Sequence, residues 1–259
     1  MGRAFRLDIA DGQIVGERER QEDACAWRAG QRSDRAVLVL ADGMGGAVGG
    51  AEAAGCVCCA AMTALLDESS EPSKAAPAIA IEAATAALAA LKAAGRPELQ
   101  EAGSTLVAVR IEPRGLMWAS VGDSPLLLMR SGELLRLNQD HSATKVLAAI
   151  GEGEGRSALL LSNMSGESPS MIDHRPKPVP LARGDRILLA SDGVWALTDE
   201  GLKDALAAET AEACVQRLLD APTTAETVRR DNFTVIVADV VEGPAIGFRQ
   251  MLEKPREAT

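Results

Sequence analysis

The chain has 259 residues, enough for one large domain or two small ones, and its 47% hydrophobic and 25% charged fractions exclude disorder as the main state. With 27 Lys+Arg against 37 Asp+Glu the formal charge is −10, which disfavours nucleic acid and anionic membrane surfaces, because each phosphate contact needs a cation. Aromatic residues make up 2% of the chain and Tyr is missing, so a stacking platform for single strands is excluded as well.

From the N-terminus, Asp8 and Asp11 interrupt the apolar stretch that a secretory leader needs, and Arg6 stands where N-myristoylation wants Ser or Thr. A cytoplasmic location without membrane attachment is the expectation. Val37–Ala41 is a short apolar run and reads as a buried strand; it ends at Asp42-Gly43, and Ala51–Leu66 then reads as a helix. The apolar window Cys56–Leu66 is shorter than the roughly 20 residues of a membrane span. Cys56, Cys58 and Cys59 have no matching Cys or His pair elsewhere and read as small buried apolar side chains on that helix, not as a zinc site. A second helix is expected over Ala75–Ala94, stopped by Gly95 and Pro97.

Strand-like runs follow at Ser104–Ile111, Leu116–Val121, Leu126–Arg130 and Glu133–Leu137, separated by short turns. Their close succession predicts an antiparallel meander, since parallel neighbours need long crossovers. After a helical piece at Ala143–Ile150, the stretch Gly151–Pro180 shows no periodicity and reads as a long functional loop. Arg186–Ala190 is a further buried strand, helical segments run from Asp199 to Leu219, and Phe233–Val241 is the last strand. The organisation is one α+β domain over residues 1–243 with a loose tail at 244–259.

The chemistry lies in the carboxylates at strand junctions. Asp42, Asp123 and Asp192 each follow an apolar strand, Asp231 precedes one, and Glu22-Asp23 adds two more acids. A lone Asp-Gly is usually a turn. A set of acids converging on one rim is costly, because like charges resist ionising together, and a bound cation offsets that cost. With two His in the chain, oxygen donors dominate, which suits Mg2+ or Mn2+. Gly43 and Gly193, each directly after an Asp, let the backbone approach an ion.

Read in order, the segments Arg18-Glu19-Arg20-Gln21-Glu22-Asp23-Ala24, Ala41-Asp42-Gly43-Met44-Gly45-Gly46, Gly103-Ser104-Thr105, Val121-Gly122-Asp123-Ser124, Asp140-His141-Ser142, Ala190-Ser191-Asp192-Gly193-Val194-Trp195 and Asp231-Asn232-Phe233-Thr234 make a specific series. The chain resembles the metal-dependent protein phosphatases, the protein phosphatase 2C family, in its compact bacterial form. The resemblance implies two packed antiparallel β-sheets flanked by helices, with a dinuclear Mn2+ or Mg2+ site at one end. It implies that Asp42 bridges both ions, that Gly43 offers its carbonyl, and that Asp192 and Asp231 complete one shell. Glu22 and Asp23 lie close by through water, and Asp123 with Asp192 holds a weaker third ion. Arg18 matches the arginine that grips the substrate phosphate, with Arg20 two positions away. The implied activity is hydrolysis of phosphoserine and phosphothreonine in proteins by a metal-activated water, opposing a Ser/Thr kinase; phosphorylated proteins are the implied partners.

The sequence departs from the family pattern in places. Gln21 stands where Asn is usual, Pro125 where Arg follows Gly-Asp-Ser, and Arg229-Arg230 where small residues precede the last Asp-Asn. No histidine stands near Met44, where many eukaryotic relatives carry a general acid. Two rivals remain. A dinucleotide loop at 43–49 has GxGxxxG spacing and an Asp42 that would repel a pyrophosphate. A catalytically weak pseudophosphatase, binding a phosphorylated partner or sensing metal, would keep the acids without turnover. Among lesser features, His141 reads as a hydrogen-bonded structural histidine, Trp195 as core, and His174 as solvated in a loop.

Overall fold

The computed structural model describes residues 5–31, 33–45, 49–67, 76–143, 160–224 and 231–242. Its strands are β1 (Arg6–Ile14), β2 (Asp23–Ala29), β3 (Ala36–Met44), β4 (Gly103–Ser104), β5 (Leu106–Glu112), β6 (Gly115–Val121), β7 (Leu126–Arg130), β8 (Glu133–Arg136), β9 (Asp173–Val179), β10 (Arg186–Ala190) and β11 (Phe233–Glu242). The helices are α1 (Gly49–Leu66), α2 (Ala76–Ala93), the short α3 (Pro97–Gln100), α4 (Asp199–Leu206) and α5 (Ala211–Asp220), with a 3-10 turn at Asp192–Ala196. One sheet runs β1-β11-β10-β7-β8 and the other β2-β3-β5-β6-β9, with β4 paired to β3. Every pairing is antiparallel.

The apolar runs build this sandwich through the two-residue period of a strand. On β3, Val37, Val39 and Ala41 face α1 and α2, while Leu38 and Leu40 face the other sheet. On β10, Ile187 and Leu189 enter the core between the sheets, and Leu188 and Ala190 pack under α4 and α5. Strands buried on both faces read as continuous apolar runs, which is why β3 and β10 are visible in the sequence. The architecture is α-β-β-α, as expected. Helix α1 is long and apolar enough to cross a membrane by length and composition, well beyond the Cys56–Leu66 window; here Ala53, Val57, Ala61 and Leu65 are buried against the sheet. Cys58 is buried with them, Cys56 is half-buried and Cys59 is exposed, so the apolar reading holds for part of the trio.

Two buried ion pairs fasten the five-stranded sheet. Arg130 forks onto Asp185 at 2.6 and 2.5 Å. Arg186 forks onto Asp239 at 2.7 Å through both Nε and Nη2, and donates to the carbonyls of Leu206 and Ala208 at the end of α4.

Several expectations change. The four-strand meander is two hairpins in different sheets: β5 pairs with β6 and β7 with β8, but β6 and β7 do not pair. Residues 122–125 carry the chain between sheets, and Gly122, with φ of 103°, makes the bend. Gly151–Pro180, expected to be one long loop, contains β9, an edge strand along β6; Pro176 and Pro178 fit there because an edge strand need not donate on its outer side. His174 is exposed but lies on this strand. Trp195 is 49% exposed, not core, whereas His141 is buried and hydrogen-bonded. Strands β1 and β2 carry no clear apolar pattern, since each is an outer strand of its sheet. The expected helix within 144–150, Arg229-Arg230 and the tail at 244–259 lie outside the described residues.

Candidate functional site

Strand direction brings the acids to one end of the sandwich. Asp42 lies within β3 and is directly opposite Asp23, the first residue of β2. Asp192 opens the 3-10 turn after β10. Asp231 precedes β11, and the two adjacent strands are pinned there by Ser191 N–H to Thr234 O and Thr234 N–H to Ser191 Oγ, each 3.0 Å. Asp123 sits on the crossing between sheets, next to the end of β6. The sequence-derived acids therefore share one rim; Asp42, expected just past the end of its apolar run, lies instead inside β3, which continues to Met44.

Short polar side chains hold the backbone of this rim. Thr105 Oγ1 accepts from Asp42 N–H at 3.0 Å and pairs with Ser124 Oγ at 2.8 Å. Ser104 Oγ and Thr105 N–H both donate to Asp42 O. Asn232 is a staple: Oδ1 accepts from Glu22 N–H, and Nδ2 donates to Val15 O and Arg20 O. One Asp231-Asn232 dipeptide thus supplies a rim carboxylate and ties down the loop bearing Arg18 and Glu22. Gly43 is required by close approach: a Cβ there would lie 2.3 Å from Gly50 O and 2.5 Å from Glu22 O. The first turn of α1 rests on that bare backbone, and Glu22 Oε2 lies beside Gly50. Gln21, in place of Asn, still accepts from Asp23 N–H through Oε1.

Pro125 does not carry Asp123 away from the rim. Arg136, from β8, donates to Asp123 O at 2.6 Å and to Asp140 Oδ2 at 3.0 Å, bringing a guanidinium to the turn that lacks the usual arginine. His141 Nδ1 accepts from Gly122 N–H, and His141 N–H donates back to Gly122 O.

The electrostatics are those of crowded acids. Burial, then the charges of Asp23, Asp192, Asp123 and Asp231, hold Asp42 well above the usual carboxylate range. Burial, then Asp123, Asp231 and Asp23, push Asp192 up to about 7 against the pull of Arg18. Burial also raises Asp123, and raises Asp23 despite the nearby Thr234 and Ser191 hydroxyls. Oδ2 of Asp23 and Oγ1 of Thr234 are buried without a hydrogen-bond partner. Arg18 offsets part of the rim's negative charge: Nη2 donates to Asp231 Oδ2 at 2.5 Å, while Asn232 N–H donates to Asp231 Oδ1.

Among the described residues, no three His, Cys, Asp or Glu side chains are already drawn together to hold an ion. The donors fit a hard divalent cation nonetheless, because such ions take one or two carboxylates and fill the rest of their shells with backbone carbonyls and water. The orphaned Asp23 oxygen and the mutually raised carboxylates are the groups that such a charge would satisfy.

The family model for protein phosphatase 2C matches residues 14–231, from the end of β1 to the rim aspartate before β11. The chain belongs to the protein phosphatase 2C family. Its sequence is 31% identical to the serine/threonine protein phosphatase PstP of Mycobacterium tuberculosis over 80% of this chain, and spans 40% of that protein's length. The crystal structure of the Mycobacterium tuberculosis phosphatase superposes with a TM-score of 0.74 at 30% identity, covering 90% of this chain and 98% of that one. The PstP catalytic domain in complex with two manganese ions gives 0.72 at 32% identity, covering 91% and 98%. Relative to the acids named from the sequence, the protein phosphatase 2C rim adds Thr105, Ser124, Asn232 and Arg136 as positioning residues. Ser124, Thr105 and Asn232 lie inside the recognised motifs; Arg136 has no motif and is found only by the turn it reaches.

Proposed function

We propose that this protein phosphatase 2C member hydrolyses phosphoserine and phosphothreonine in proteins, in the cytoplasm, opposing a Ser/Thr kinase. The observation that carries the reading is the gathering of Asp23, Asp42, Asp123, Asp192 and Asp231 on one rim together with Arg18. Asp42, Gly43, Asp192 and Asp231 would hold two tightly bound Mn2+ or Mg2+ ions, with Glu22 and Asp23 reaching them through water. Asp123 with Asp192 would hold a weaker third. Bound there, the ions supply Lewis acidity and a water of lowered pKa near neutral pH.

The chain's own part is binding and orientation. Arg18 is half-exposed at the rim, so a phosphoryl group can reach its guanidinium, while the Nη2 contact to Asp231 sets its direction. Thr105 and Asn232 fix Asp42 and the Arg18 loop in place, so little reorganisation accompanies substrate binding. His141 is buried with Nδ1 committed to Gly122, so it serves the Asp123 turn, not the leaving group. None of the five cysteines is needed as a nucleophile.

Phosphopeptides bearing Ser, Thr or Tyr phosphate, incubated with Mn2+, test the reading through released phosphate. Release from the Ser and Thr peptides is expected. No release from any of them would leave the pseudophosphatase alternative standing.

A further inference from the structure

At the opposite end of the six-stranded sheet, Arg28 on β2, Val37 on β3 and Arg110 on β5 form one cross-strand row. Directly opposed residues rise from the same face, and Val37 packs toward α1 and α2, so both arginines stand on the helix side of the sheet. Two strand spacings separate their backbones by roughly 10 Å. The short Val37 between them leaves a notch. A cavity of about 360 Å3 opens there, with Arg35 and Glu112 on its edge and Leu65, from the end of α1, on its wall.

The charge of this notch is not balanced. Glu112 Oε1 takes Arg110 Nε at 2.8 Å and lies 4.0 Å from Arg35 Nη1. Arg28 has no hydrogen-bonding or ion-pair partner among the described residues. The C-terminus of α1 turns a partial charge of roughly −0.5 toward the cavity. Among the described residues, three guanidiniums stand against Glu112, that dipole and Asp67, which follows the lining Leu66, so the notch keeps roughly +0.5. Elsewhere the chain is acidic overall, at −10, so this is a local reversal of sign that focuses an anion into the notch.

We propose that the Arg28–Val37–Arg110 notch is a binding site for a phosphate-class oxyanion, distinct from the catalytic rim. Two arginines on one face with a short apolar residue between them suit a tetrahedral anion that accepts paired N–H donors, Arg28 through its whole guanidinium and Arg110 through its Nη groups, since its Nε is held by Glu112. The ligand is either free inorganic phosphate or a phosphorylated side chain of a protein. Five strand residues, about 17 Å, separate Arg28 from Asp23 along β2. The site does not depend on the catalytic reading, and its binding is measurable with the rim stripped of metal.

Calorimetry on the full chain in excess chelator tests it, with inorganic phosphate in one arm and a phosphoserine peptide beside its unphosphorylated form in the other. One-to-one saturable binding is expected, weakened by added salt. Arg28→Gln removes an exposed, unpartnered side chain and leaves the fold intact, as a melting curve will verify. It should weaken binding about tenfold, as should Arg110→Gln. Arg18→Ala, at the other end of the molecule, should leave this binding in place. Binding in the phosphate arm alone assigns the free ion; binding of the phosphopeptide alone assigns the phosphorylated side chain. The proposal is overturned by no saturable binding in either arm, by binding that Arg28→Gln leaves unchanged, or by binding that Arg18→Ala abolishes.

Discussion

Asp23 and Asp42 face each other across the β2–β3 ladder, two buried carboxylates in direct register. Like charges so placed destabilise a sheet. Asp192, whose pKa is pushed from 3.8 to about 7, gives the pH dependence its sign. Between those values the folded chain keeps a proton that the unfolded chain has released. Its contribution is therefore fully present below about pH 3.8 and lost as pH rises through 7. Melting temperatures measured in excess chelator should fall over that window, and Mn2+ should flatten the fall. His141, which burial holds below its ordinary value, contributes with the opposite sign, its stabilisation being lost as pH falls.

Asp42→Asn should abolish phosphate release, because the position is assigned to both ions. In metal-free protein the same change relieves the repulsion at Asp23, so the melting temperature should hold or rise while turnover disappears. Calorimetry should show both Mn2+ ions bound more weakly. Undiminished binding of two ions would remove Asp42 from its assigned place.

Asp123→Ala separates chemistry from scaffold. Arg136 still grips the backbone carbonyl of residue 123, so the turn should survive. Turnover should fall much further on phosphopeptides, whose alkoxide leaves poorly, than on p-nitrophenyl phosphate, whose leaving group hardly needs a proton. Equal losses on both substrates would instead place Asp123 in service of the core metal site.

Arg186→Ala strips Asp239 of its bidentate partner inside the protein and frees the carbonyls of Leu206 and Ala208. A loss of about 3–5 kcal/mol is expected, the usual cost of leaving a buried charge uncompensated. Urea denaturation checks it. Since Arg186 lies at the far end of β10 from Asp192, kcat of the folded fraction should be unchanged.

Asp42, Asp123 and Asp192 are legible because each follows an apolar run, and Asp231 because it precedes one; the runs at β3 and β10 announce themselves by being buried on both faces. Of the four outer strands β8 is legible and β1, β2 and β9 are not: β2 reads Asp-Ala-Cys-Ala-Trp-Arg-Ala, and β9 carries two prolines. In the sequence Gly122-Asp123 has the chemistry of one more short turn, since a turn that changes sheets has the same residues as one that does not. Asn232 and Thr105 lay inside recognised motifs, but their work consists of single hydrogen bonds to distant backbone, which no periodicity reports. Arg136 and the Arg28–Val37–Arg110 row needed strand register before they could be seen at all.

The most direct measurement is phosphate release from a phosphothreonine peptide in Mn2+, in excess chelator, and after Mn2+ is restored. The account predicts activity, its loss, and its return. Full activity in excess chelator would contradict it.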